Sequence, residues 1–192
     1  MRAMSMLLTA MGLLLGCATA PPNESSPWYR IPVGSELVLE TQVQVPARQD
    51  RVYFQDGAAM DWRQVNIYRP HCALSVADKT ETTQSISPDR FSVKSSHSER
   101  FFKQVRRQEQ PPQVRPAAFE SQVTTVAGWD RDGRMDYEVT ALVIDLESAR
   151  QPHVKTLTCA DWGLPQDTIH ITVEKVRQAL GGMARLELLP TE

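Results

Sequence analysis

The sequence predicts a mainly β protein: an antiparallel β-sandwich or partly closed barrel of about eight or nine strands, with one short helix near the C-terminus. Three observations support this fold class. Apolar and polar residues alternate with a period of two in many short runs, which is typical of half-buried strands. Turn-forming dipeptides such as Asp56-Gly57 separate these runs. Only one segment has the three- and four-residue spacing of a helix.

The β-prone runs extend over most of the chain. They are residues 36–40, 43–45, 51–54, 62–68, 72–76, 91–93, 119–127, 136–146, 153–159 and 184–189. Residues 99–107 fit either a strand or a short helix, and the Pro- and Gln-rich residues 108–118 predict an exposed loop. We expect 119–127 and 136–146 to form a hairpin around the turn at 129–133.

The single helical segment begins after Thr172, which can cap its N-terminus. Val173, Val176 and Leu180 recur at the spacing that puts them on one face of a helix. Gly181-Gly182 then supplies a C-terminal stop. We therefore expect one amphipathic helix that packs its apolar face against the sheet.

The N-terminus has the layout of a secretory signal. Arg2 supplies a positive charge, and residues 4–15 form a mostly apolar run. That run has roughly 12 residues, whereas a helix needs about 20 to cross a bilayer. The sequence therefore favours a cleaved signal over a permanent transmembrane anchor.

The end of this signal, Leu14-Leu15-Gly16-Cys17, resembles the lipobox of bacterial lipoproteins. The resemblance implies that residues 1–16 are a signal peptide and that Cys17 becomes the lipid-modified first residue of the mature chain. Ala18, in place of the Asp that resembles an inner-membrane retention signal, implies the outer membrane facing the periplasm. The alternative is an ordinary signal peptide cut near residues 18–20, which would discard Cys17.

Beyond Cys17 the chain divides into a tether and a domain. Residues 17–28 are rich in Pro, Ser and Thr and predict a flexible tether, while residues 29–192 have the length of a single β-rich domain. The formal net charge is −2. Since there is no basic excess, we expect no nucleic-acid partner.

Two further cysteines, Cys72 and Cys159, remain when Cys17 is assigned to lipid. Cysteines of secreted chains usually pair, because their compartment is oxidising. A Cys72–Cys159 disulfide would close a loop of roughly 90 residues, worth about 4–5 kcal/mol in the chain-entropy model. The alternatives are a metal site or a pair of reactive thiols.

The sequence offers little sign of catalysis. His71, His97, His153 and His170 occur singly, and no metalloprotease, serine-hydrolase or phosphate-loop motif is present. Residues 130–133 contain acids, but their spacing favours a turn over a calcium loop. We predict no catalytic residue, no metal and no cofactor.

One region suggests a partner surface. Its residues are Arg100, Lys103, Arg106 and Arg107, interleaved with Phe101 and Phe102, together with the more distant Trp162. Trp162 could pack over the disulfide or act as a stacking platform for a sugar or peptide. The alternative for the basic residues is a solvated edge strand whose charges discourage association between edges.

These observations favour a lipid-anchored module of the cell envelope that binds an envelope protein or cell-surface component without catalysis. The alternative is an envelope hydrolase or metal-dependent enzyme acting on cell-wall or lipid substrates, which would need histidines and carboxylates to converge in one cleft. A metal or redox sensor would instead need free Cys72 and Cys159 thiols.

Overall fold

The computed structural model describes residues 23–27, 29–106, 134–165, 167 and 170–190. Ten strands and one α-helix lie in these ranges. They are β1 (Glu36–Leu39), β2 (Val43–Val45), β3 (Arg51–Gln55), β4 (Ala58–Met60), β5 (His71–Val76), β6 (Gln84–Ile86), β7 (Asp89–Arg106), β8 (Arg134–Glu147), β9 (Val154–Gly163), α1 (Val173–Leu180) and β10 (Ala184–Glu187).

Eight strands form one antiparallel sheet in the order β10-β1-β7-β8-β9-β5-β3-β4. The sheet curls into a half-barrel, and β2 and β6 form a separate two-stranded sheet. The mainly β prediction, with one helix near the C-terminus, is confirmed. Of the two predicted architectures, the partly closed barrel describes the observed sheet.

The main core lies on the face of the sheet that α1 covers, which we call the helix face. Alternate residues of each strand point into it, as the period of two requires. Phe54, Phe91, Leu142 and Leu157 are among its buried members. The other side of the sheet, the opposite face, carries a smaller cluster that includes Tyr137, Val139 and Trp162.

Helix α1 begins and ends as the sequence predicts. The Thr172 hydroxyl accepts a hydrogen bond from the Lys175 backbone N–H at 3.4 Å, and Gly181 follows the last helical residue. Gly181 has a φ of 51°, and a Cβ there would lie 2.4 Å from the Cα of Gly57. Only glycine permits this contact between the helix end and the β3–β4 turn.

The β3–β4 hairpin also follows the prediction, because Asp56 and Gly57 form its turn with φ values of 51° and 76°. The strand predicted over 62–68 is wrong. Asp61 instead caps a short 3-10 helix, Trp62–Gln64, and the Gln64 side chain bonds back to the Asp61 backbone. This reciprocal capping stabilises the 3-10 helix relative to extended structure at this position.

The hairpin predicted between 119–127 and 136–146 involves residues outside the described ranges. Within the described chain, β8 pairs with β7 over residues 92–106 and with β9. Residues 99–107 were ambiguous in the sequence, and as far as Arg106 they belong to the long strand β7.

A buried polar group, which we call the Asp89 cluster, fixes the start of β7 to the β8–β9 connection. Ser148 Oγ donates to the Asp89 carboxylate at 2.7 Å, Arg150 Nε donates at 2.9 Å and Gln151 Nε2 donates at 3.2 Å. Burial alone would raise the pKa of Asp89, but these hydrogen bonds outweigh it and lower the pKa to about 2.

The described chain begins with residues that the sequence assigned to the tether. Residues 23–27 form turns, and Glu24 makes an ion pair with Arg177 of α1. Contact with the domain therefore starts at least five residues before the predicted boundary at 29. No helix in the described ranges is long and apolar enough to span a membrane.

Candidate partner-binding site

Among the described strands, the second half of β7 has a neighbour on one side only. Strand β1 pairs with residues 89–92 of β7, and the last backbone bonds on that side join Val93 to Gly34 and Ser35. From Ser96 to Arg106, β7 pairs with β8 alone among the described residues. We call residues 96–106 the open segment. Its outer edge presents backbone N–H and C=O groups that no described strand pairs.

Large side chains of the open segment are exposed to solvent. Phe102 is 66% exposed and Phe101 is 43% exposed, and both lie between the exposed cations Arg100 and Lys103. Aromatic residues and arginine are enriched at protein interfaces, where rings supply apolar area and cations supply directional bonds. Two adjacent exposed phenylalanines therefore make the open segment the strongest candidate for binding among the described residues.

The strand alternation divides the predicted basic surface between the two faces. Arg100 lies opposite Thr140, on the helix face, and its guanidinium makes an ion pair with the nearly buried carboxylate of Glu138. Lys103 lies opposite Tyr137, on the opposite face, with its Nζ 5.2 Å from the centre of the Trp162 ring. The structure thus brings Lys103 and Trp162 together and keeps Arg100 apart from them.

Trp162 is 6% exposed, so its ring lies under the surface and supports Lys103. It does not pack over the disulfide, because it belongs to the cluster on the opposite face, whereas Cys159 belongs to the main core. A spacing of three residues along a strand requires this separation. The Trp162 Nε1–H has no acceptor among the described residues.

An aromatic cluster surrounds Trp162 and fills the opposite face beside the open segment. The ring of Trp62 lies 6.3 Å from that of Trp162, and the ring of Tyr137 lies 6.2 Å from it. Tyr68 packs on Tyr137 at 5.5 Å, and their hydroxyls are hydrogen-bonded. These tilted contacts are the geometry that aromatic pairs prefer. The open segment contacts this cluster through Lys103 and Val105.

On the helix face, polar contacts hold α1 against the sheet next to Arg100. Lys175 Nζ donates to the buried Asp161 carboxylate at 2.6 Å and to the His170 carbonyl at 2.8 Å. The Ile171 backbone N–H donates to the Thr140 hydroxyl at 3.1 Å. Since Lys175 and Asp161 are bonded to each other and to the backbone, we assign them a structural role.

Cys72 and Cys159 are bonded to each other, as the sequence predicts. They occupy directly opposite positions of β5 and β9, with their Cα atoms 3.9 Å apart, and both are fully buried. The alternative of two reactive thiols therefore does not describe this structure.

The histidines occupy separate places in the fold. His71 starts β5, His97 lies on β7 and pairs with Glu99 at 3.1 Å, His153 lies in the β8–β9 turn and His170 precedes α1. Burial lowers the pKa of His71, and its Nδ1–H donates to the Arg69 carbonyl. Among the described residues, no three His, Cys, Asp or Glu side chains are grouped to hold a metal.

Two open cavities on the surface of the described residues are further candidates. The larger, of about 520 Å³, is next to the Asp89 cluster, and the smaller, of about 350 Å³, lies over Tyr53 and Trp62. In the smaller cavity Arg51 makes two contacts with Asp50, at 3.0 and 3.2 Å, which neutralise both charges. In the larger, Lys94 pairs with Glu147 at 2.7 Å. These internal pairs make both cavities weaker candidates than the open segment.

The remaining predicted site residues are Cys17, Arg106 and Arg107. Arg106 is the last residue of β7, opposite Arg134, but its side chain lies outside the described parts. Arg107 and Cys17 also lie outside the described residues. The sequence did not single out Glu99, which lies two positions before Phe101 on the same face. The sequence signal for Glu99 would have been its spacing, because Glu99 and Lys103 lie at equal distances on either side of Phe101.

No protein-family model, no curated protein and no solved structure matches this chain.

Proposed function

We propose that the protein is a lipid-anchored, non-catalytic module of the bacterial cell envelope that binds a partner through the open segment of β7. The observation that carries the proposal is the exposure of Phe101 and Phe102 on a strand edge that no described strand pairs. An unpaired edge can add a strand from a partner, and the side chains beside it select which strand.

The anchor in this proposal is Cys17, on the strength of the lipobox-like Leu14-Leu15-Gly16-Cys17. Two or three acyl chains would hold the chain stably on a bilayer. Because Glu24 already contacts α1, residues 17–24 can reach at most about 25 Å when fully extended. The domain would then remain close to the membrane surface, on the periplasmic side of the outer membrane.

Metabolic labelling with a fatty-acid probe tests the anchor. The full-length precursor, expressed in a Gram-negative host, should incorporate the probe and fractionate with the outer membrane. Cys17→Ser should lose both properties. If the Cys17→Ser chain keeps the label, or if the parent chain never acquires it, the anchor part of the proposal is wrong.

Site-specific photo-crosslinking tests the binding surface. A photoreactive phenylalanine analogue at position 102 should give adducts with a discrete partner in intact cells. The control is the same analogue at Glu81, whose side chain is 81% exposed and which lies in the β5–β6 connection, outside the open segment. Equal adducts at both positions, or adducts at neither, would contradict binding through the open segment.

A further inference from the structure

The open segment is complementary to a second copy of itself when the two are paired about Phe101. We propose that it pairs in antiparallel orientation with the open segment of a second copy of this chain, about a two-fold axis at Phe101. This inference rests on the proposed function, because it names the partner that the open segment binds. The product would be one sheet continuous across two subunits.

The edge of the open segment is long and exposed. Residues 96–106 lie along β8 on one side and have no described strand on the other. Side chains at positions 97–104 are exposed on both faces of the sheet. A typical strand has only about five or six residues, so this edge offers a long template for backbone pairing.

The charges of the open segment are complementary across the two-fold axis. On the opposite face, Glu99 and Lys103 flank Phe101 at equal distances, so antiparallel pairing about Phe101 brings each Glu99 against the partner's Lys103. Opposite charges at directly opposed positions stabilise antiparallel pairs. The Glu99 side chain is half exposed and Lys103 is held above Trp162, so both already lie at the surface of this face.

The side chains on the helix face are also complementary in this register. The same register places Arg100 against the partner's Phe102 on this face, which is a cation–aromatic pair, and on the opposite face it places Phe101 against its own copy. Phe102 is the most exposed residue of the open segment that is apolar, and pairing would cover it. A single register therefore gives favourable side-chain pairs on both faces of the sheet.

Neighbouring registers are less favourable. A two-fold axis at Arg100 would place Arg100 against Arg100, and an axis at Glu99 would place two carboxylates together. Like charges that are directly opposed destabilise a sheet. An axis at Phe102 avoids this repulsion but leaves Glu99 opposite Val105. The cations that would block unrelated edges thus favour one register between two copies.

Membrane attachment would assist this association. Two chains anchored to one bilayer meet at a much higher effective concentration than free chains. A weak edge contact can therefore be populated on the membrane even if it dissociates in dilute solution.

Cysteine crosslinking in membranes tests the register. Phe101→Cys in the full-length protein should form a disulfide with its own copy on mild oxidation. Ser98→Cys lies on the same exposed strand, but in this register it is roughly 20 Å from its own copy, at about 3.4 Å per residue. We expect about tenfold more crosslinked dimer for Phe101→Cys than for Ser98→Cys. Equal yields would overturn the register.

Charge reversal provides a second test that does not remove Phe101. Glu99→Lys and Lys103→Glu should each reduce the dimer measured by sedimentation of the detergent-solubilised full-length protein. The double variant Glu99→Lys/Lys103→Glu should restore it, because the swapped charges again face each other. Failure of the double variant to recover would overturn the pairing, and its folding is checked by circular dichroism.

The position-102 photo-crosslink separates this inference from the proposed function. An adduct with the mass of two copies supports both. An adduct with a different protein supports partner binding but overturns self-pairing. An adduct within a single chain would mean that another part of the same chain covers the edge, which overturns both proposals.

Discussion

The two ends of β7 differ in almost every physical respect although they belong to one strand. At the start, Phe91 and Val93 are buried in the main core, and Asp89 receives hydrogen bonds from three side chains. In the open segment most side chains are exposed, and β8 is the only strand of the described ranges that lies alongside. Since backbone conformation is the same at both ends, the difference is one of burial and pairing.

This contrast separates the residues of β7 that stabilise the fold from those that are available for binding. Buried apolar and polar contacts at the start of β7 contribute to the free energy of folding. Exposed groups at the other end contribute little to it, and they remain available to a partner. We therefore expect substitutions at the two ends to affect different measurements, stability at the start and association at the open segment.

The largest expected effect is at Asp89. Asp89→Ala removes the acceptor of the Ser148, Arg150 and Gln151 hydrogen bonds and leaves the buried Ser148 hydroxyl without its acceptor. We expect a loss of about 3 kcal/mol in the free energy of unfolding, measured by urea denaturation.

The matched control for Asp89→Ala is Asp136→Ala. Asp136 is exposed on β8 beside the open segment and accepts one hydrogen bond, from Gln104 at 3.1 Å. Its removal should cost less than about 0.5 kcal/mol. Equal losses at both positions would break the proposed contrast between the two ends of the strand.

The pH dependence of stability gives the next largest effect. The pKa of Asp89 is lowered to about 2 in the folded protein, against 3.8 for an ordinary Asp. Folding therefore favours the ionised Asp89 carboxylate, which contributes about 2 kcal/mol to the free energy of unfolding above pH 4. It should be lost as the pH falls from about 4 to about 2.

Asp89→Asn isolates this contribution, because asparagine does not titrate. The difference in unfolding free energy between the parent protein and Asp89→Asn should shrink by about 2 kcal/mol between pH 5 and pH 2. A difference that is independent of pH would show that the Asp89 cluster stabilises the fold without a charged carboxylate.

The sequence could predict the parts of the fold that depend on local pattern. Alternation located most strands, Thr172 and Gly181 located the ends of α1, and the two spare cysteines indicated their disulfide. It could not predict that Trp62 starts a 3-10 helix, because the apolar alternation of 62–68 competes with the Asp61–Gln64 capping box. The two local hydrogen bonds of the capping box favour the 3-10 helix there.

The candidate site was predicted only in part, and the period of the side chains explains why. In a helix, Arg100, Lys103 and Arg107 would share one face, whereas in a strand Arg100 and Lys103 lie on opposite faces. The open edge itself follows from a long β7 beside a short β1. That pairing is a property of the tertiary structure, and no local pattern in residues 99–107 encodes it.

Truncation of one apolar side chain at each end of β7 tests the same contrast, with smaller expected changes in the free energy of unfolding. Val93→Ala removes two methyl groups from the main core, where Val93 is 1% exposed, and should cost about 2 kcal/mol. Phe102→Ala removes a whole ring that is 66% exposed and should cost less than about 0.5 kcal/mol. Urea denaturation measures both, and a costly Phe102→Ala would mean that its ring is buried in the folded protein.

The smallest expected effect concerns Lys103, which belongs to the open segment but rests on the aromatic cluster. Lys103→Met keeps a long apolar stem and removes the cation above Trp162, so we expect a loss of about 0.5 kcal/mol. A double-mutant cycle with Trp162→Phe should give a coupling energy of similar size, since the two side chains are in contact. No coupling would mean that Lys103 is held at its position by the strand alone. Its charge would then contribute to association without any contribution to the stability of the fold.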